Sequence, residues 1–162
     1  MKAMKNVWML LAAMVITTAL HAQKSESEAA TVKFSVADEG HLKVGGTTKF
    51  VIEATPKAGW HVYSAIPSEE GAYQPAVLGW EETSLGFSAG DKLLEEGSMT
   101  SSFDDIMGGT VRYYKEKVLF SQEIKLTEKD VALVGYFDYM ACNEFKCIPL
   151  TAEFKLETKA KE

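Results

Sequence analysis

Apolar and polar positions alternate along most of this chain. Val32, Phe34 and Val36 recur at every second position in one run, and Phe50, Ile52 and Ala54 do so in the next, after a Gly45-Gly46 turn. Val118, Phe120, Ile124 and Leu126 mark one face of a third run, Val131, Leu133, Phe137 and Tyr139 one face of a fourth, and Phe154 and Leu156 belong to a last short one. A period of two puts alternate side chains on opposite faces of an extended strand, so each run predicts a strand with one buried face. No stretch carries the 3.6-residue period of a convincing amphipathic helix. Several short strands between turn residues, without an internal repeat, predict an all-β antiparallel sandwich ahead of a barrel. The segment from Pro67 to Gly109, rich in Gly, Ser and acids, is the hardest to assign.

The first residues follow a different pattern. Lys2 and Lys5 precede an uncharged apolar stretch, Val7 to Leu20, which ends in small residues before a polar run. The stretch falls short of the roughly 20 apolar residues that a membrane span needs, so it reads as a cleaved signal peptide over residues 1–22, cut after Ala22 or after Ala19. Without a cysteine near the cut, no lipid anchor is expected. Residues 23–30 are expected to be a flexible N-terminal segment, 31–157 the folded domain and 158–162 a C-terminal tail.

Composition narrows the partners. Of 162 residues, removal of the leader leaves 140, a common size for one domain with a real core. The leader holds two lysines and no acid, so the formal net charge moves from −6 to −8, which argues against nucleic acid or an anionic membrane surface as partner.

An exported chain with only two cysteines, Cys142 and Cys147, focuses the chemistry. The flanking runs read as consecutive strands, which makes Asn143 to Lys146 a four-residue hairpin loop with the cysteines opposed across its mouth. Opposed residues of a non-hydrogen-bonded pair have Cα atoms about 4.5 Å apart, within reach of a disulfide. Closing so short a loop gains less chain entropy than the about 3 kcal/mol of a 15-residue one. The spacing therefore fits a reducible, exchanging bond, while a purely structural staple is the other reading, since exported proteins commonly carry them. Pro149 is expected to end strand pairing just past Cys147. A soft-metal site would need a second ligand pair that the pattern does not supply, so neither metal nor cofactor is expected.

The segment Tyr139-Met140-Ala141-Cys142-Asn143-Glu144-Phe145-Lys146-Cys147-Ile148-Pro149 resembles the active-site hairpin of the N-terminal periplasmic domain of the thiol:disulfide interchange protein DsbD. Gly59-Trp60-His61-Val62-Tyr63-Ser64 is similar to another segment of that family, and Val111 to Ile124 resembles its strand pair leading to the cysteines. The cysteine loop here is one residue shorter than in many relatives. The resemblance implies an immunoglobulin-like sandwich that relays electrons in the periplasm by thiol-disulfide exchange through Cys142 and Cys147, with Cys147 joining partners. It implies a membrane-embedded, DsbD-like electron donor and acceptors among periplasmic thioredoxin-like or disulfide isomerase proteins. It also implies a cap loop at Asp104, Asp105, Ile106 and Met107, with Ile106 or Met107 as the shielding side chain. His61, Tyr63, Tyr139 and Phe145 are candidates for packing around the pair, Lys146 for favouring a thiolate and Glu144 for opposing it. The rival class is an exported binding module with a structural bridge, for which Trp60, Trp80 and Tyr73 would form an exposed face.

Overall fold

The computed structural model of the protein describes residues 23–162, so the signal-peptide reading of residues 1–22 lies outside the described residues. Two antiparallel sheets form a sandwich. The strands are β1 (Gln23–Glu26), β2 (Ala30–Val36), β3 (Thr47–Pro56), β4 (His61–Tyr63), β5 (Val77–Trp80), β6 (Phe87–Glu96), β7 (Met99–Asp104), β8 (Gly109–Tyr114), β9 (Val118–Leu126), β10 (Asp130–Cys142) and β11 (Cys147–Lys159). One sheet runs β1-β2-β3-β9-β6 and the other β11-β10-β4-β8-β7, with β5 also paired to β10. Among the described residues the one helical element is a 3₁₀ turn, Glu39–His41.

The alternating faces read from the sequence become the core. Val32, Phe34, Phe50, Ile52, Phe120, Ile124, Leu133, Phe137 and Phe154 are all buried between the sheets. Aromatic rings knit the centre: Phe154 lies 4.7 Å from Phe50 and 4.8 Å from Phe34, and Phe50 meets Trp80 at 5.0 Å, the edge and tilted geometries that ring quadrupoles favour. The Trp80 indole nitrogen donates to Gln122 Oε1 at 2.7 Å, and Gln122 Nε2 donates to the Gly90 carbonyl at 2.8 Å, where β6 bulges between Ala89 and Leu93. A buried amide thus satisfies both the indole and the interrupted ladder. Gly135 lets β5 close on β10, because a Cβ there would stand 2.2 Å from the Gly79 carbonyl oxygen.

Three expectations are corrected. Residues 23–30 are not a loose segment: β1 pairs with β2, and the Gln23 side chain spans to β11, donating to the Glu153 carbonyl at 3.3 Å and accepting from the Lys155 N–H at 2.6 Å. Polar alternation on an outer strand gave no apolar signal to read. Pairing does not stop at Pro149, since β10 and β11 stay in register from Cys142 opposite Cys147 to Asp130 opposite Lys159. β11 is an edge strand, where a residue without an N–H costs no ladder bond. The tail continues β11 to Lys159, after which the Ala160 N–H donates to the Lys129 carbonyl and the Lys161 N–H to that of Leu42, each at 2.8 Å. In addition β8 and β9, consecutive in sequence, lie in opposite sheets and do not pair.

Candidate functional site

The β10–β11 hairpin carries the cysteines at its tip. Met140 stands opposite Pro149, which has no N–H, so that pair is not mutually hydrogen-bonded; Cys142 and Cys147, two positions further along, share its parity. Their Cα atoms are 4.0 Å apart and the sulfurs are bonded. Asn143 closes the loop, its Oδ1 accepting from the N–H groups of Phe145 and Lys146 at 2.9 Å each, and its own N–H donating to the Lys146 carbonyl at 2.9 Å. The short polar side chain of asparagine makes such a turn locally.

Strand parity decides which face the pair occupies. Phe137, Tyr139 and Ala141 point into the core between the sheets, whereas Cys142 belongs to a separate cluster with Tyr63, Ala72, Tyr73 and Val111, against which Met107, Tyr113 and Met140 pack. The disulfide therefore sits on the outer face of the second sheet. Its two halves differ: Cys142 is 2% exposed, while Cys147 on the edge strand is open to solvent.

The Asp104–Gly108 turn lies over this cluster. Asp104 Oδ1 accepts from the N–H groups of Ile106 and Met107 at 2.9 Å each, and the Gly108 N–H donates to the Asp104 carbonyl at 2.9 Å. Gly108, at φ 74, supplies the left-handed residue that closes the turn. This geometry turns Met107 onto the cysteine cluster and leaves Ile106 97% exposed, with Asp105 also in solvent.

Other candidate residues divide cleanly. Cys142 and His61 are register partners on β10 and β4, and the His61 ring lies 4.4 Å from Tyr113 and 5.3 Å from Tyr63. Burial, and secondarily the charge of Lys115, lower the His61 pKa from its ordinary value. Tyr63 stacks on Tyr73 at 4.8 Å, and burial, with Asp104 next, raises its pKa. Tyr139 is not beside the pair: three positions from Cys142, it faces the core, where burial raises its pKa and its hydroxyl meets Ser27 Oγ at 3.3 Å. Phe145 is not packed there either, being 91% exposed at the loop tip, and Glu144 is exposed beside it. Lys146 is turned to Glu28 and to the Trp60 ring, 5.6 Å away. Tyr73 is buried and Trp80 is packed and hydrogen-bonded in the core, so the aromatic face a binding module would need does not form from them. Glu28 and Tyr113 are site neighbours that sequence reasoning did not single out, and Tyr73 joins the cysteine cluster and not an exposed face. Asn143, a turn former directly after a cysteine, carried a local signal.

An immunoglobulin-like sandwich with a cysteine pair at a hairpin tip, beneath a turn, defines a thiol:disulfide interchange domain. The chain belongs to the family of N-terminal domains of the thiol:disulfide interchange protein DsbD, whose sequence profile matches residues 22–159. Two solved structures share the fold. The N-terminal periplasmic domain of ScsB from Proteus mirabilis superposes with a TM-score of 0.56 at 17% identity, over 85% of this chain and 50% of that one. The Neisseria meningitidis DsbD N-terminal domain in the reduced form superposes with a TM-score of 0.50 at 16% identity, over 82% of this chain and 87% of that one. The chain thus spans half the length of the ScsB structure. No curated protein matches the chain in sequence.

Proposed function

We propose that the Cys142–Cys147 pair is a reversible dithiol/disulfide couple that relays electrons between periplasmic thiol proteins. The unequal burial of the two sulfurs carries the reading: Cys147 is open to a partner and Cys142 is enclosed beside it. In the reduced protein, Cys147 as thiolate attacks a partner disulfide, forming a mixed disulfide and releasing one partner thiol. Cys142 then attacks the Cys147 sulfur and releases the second. Two electrons pass to the partner, and the pair is oxidised.

Family membership supports a membrane-embedded, DsbD-like donor that restores the dithiol, and thioredoxin-like or disulfide isomerase acceptors. The leader over residues 1–22 would deliver the domain to the periplasm, and among the described residues no helix is long and apolar enough to cross a membrane. Met107 serves as the shield, held in place by Asp104. Equilibration with glutathione or dithiothreitol buffers, read by thiol alkylation, should place the reduction potential well above the roughly −300 mV below which structural disulfides lie. A value at or below that level overturns the relay.

A further inference from the structure

The row of side chains that begins with the cysteines continues into a third strand. Cys147 faces Cys142 across β11 and β10, and Cys142 faces His61 across β10 and β4. Directly opposed residues of an antiparallel pair project to one face with Cβ atoms about 4.5–5.5 Å apart. His61 is therefore the neighbour of Cys142 on the side away from Cys147.

Burial gives this neighbour a purpose. Cys142 is 2% exposed, so once reduced its thiol has little access to water as a proton acceptor, yet only its thiolate can attack. The groups around His61 are Tyr63 on its own strand, Tyr113 and Lys115 from β8 and just beyond it, and Cys142 on β10; Asp104 bears on Tyr63 from the cap turn. None of these places a carboxylate against the imidazole. Its half-buried setting and the Lys115 charge both favour the neutral ring, which is the form able to take a proton.

We propose that His61 is the proton acceptor for Cys142 in the resolving step, which rests on the relay reading above. With Cys147 joined to a partner sulfur, a ring nitrogen of His61 takes the Cys142 proton as Cys142 Sγ attacks Cys147 Sγ. The Cys142–Cys147 bond forms, the bond from Cys147 to the partner breaks, and the partner leaves as thiolate, to which imidazolium returns the proton through solvent. Two electrons have moved from the dithiol to the partner disulfide, and His61 ends neutral. In the opposite direction, imidazolium protonates the departing Cys142 as an incoming thiolate opens the bond at Cys147.

The test mixes reduced protein with excess 5,5′-dithiobis(2-nitrobenzoate). A concentration-dependent phase loads Cys147 and releases one thionitrobenzoate; a concentration-independent phase, closure by Cys142, releases the second. His61→Phe and His61→Gln should slow the second phase at neutral pH by about a hundredfold, the low end for general-base loss, and leave the first within about twofold. The wild-type second phase should also fall as pH drops below the ordinary histidine value of 6.5. The inference is overturned if folded variants keep the wild-type second phase, if both phases slow equally, or if the wild-type profile shows no step below pH 7. A wild-type protein that never releases the second thionitrobenzoate overturns the relay and this inference together.

Discussion

Lys146 Nζ meets both carboxylate oxygens of Glu28 at 3.0 Å, across 118 positions of sequence. Glu28 stands in the turn between β1 and β2, so this pair ties the cysteine loop of one sheet to the first turn of the other. It also occupies the charge that sequence proximity alone would assign to the neighbouring thiol.

Freeing that ammonium should therefore be visible at Cys147. In Glu28→Gln, the pH midpoint for alkylation of reduced Cys147 by iodoacetamide should move down, because an uncompensated cation favours thiolate. Stability should change by less than about 1 kcal/mol, since the pair is half exposed. An unchanged or higher midpoint would show that Lys146 does not act on the sulfur.

Loss of the bond should leave the fold standing. The β10–β11 ladder holds its register along thirteen residue pairs, and the disulfide closes only the terminal one. Cys142→Ser combined with Cys147→Ser should lose less than about 3 kcal/mol in urea unfolding and keep a β-rich circular dichroism spectrum. Global unfolding at room temperature would make the bridge structural.

The two apolar side chains of the cap turn should part company. Met107→Ala should speed reduction by dithiothreitol several-fold while shifting the reduction potential little, because occlusion affects access and not the bond. Ile106→Ala, whose side chain touches solvent, should reduce at the wild-type rate. Equal rates for wild type and Met107→Ala would remove the turn from the role of shield.

Stability should fall on mild acidification through His61. Its folded pKa lies below the unfolded value of 6.5, so between the two the unfolded chain binds more protons; the stabilisation is full above 6.5 and is lost as pH falls through that window. The midpoint of thermal unfolding should drop as pH falls below 6.5, and His61→Gln should flatten that drop. A variant with the same slope as wild type would place the titration elsewhere.

Much of this architecture is legible in the sequence because burial on one face writes itself as a period of two. Phe34, Phe50, Phe120 and Phe137 declare their strands and their orientation by spacing alone. The same rule excludes Tyr139 from the cysteine cluster, since three positions is an odd step. β6 and β7 are obscure for a physical reason: as outer strands they are largely solvated on both faces, so Leu94 and Phe103 stand exposed and no alternation develops. β4 is only three residues long, too short for a period. Glu28 and Tyr73 reach the site through the fold alone, and no local motif marks them.

The disulfide stands in the small outer cluster, which shares no member with the large one between the sheets. Substitutions at separate, non-touching sites combine almost independently. Ala72, Met107, Tyr113 and Met140 can thus vary around the disulfide while the aromatic centre around Phe154 is left alone, so the surroundings of the bond and the packing of the fold are separable in this domain.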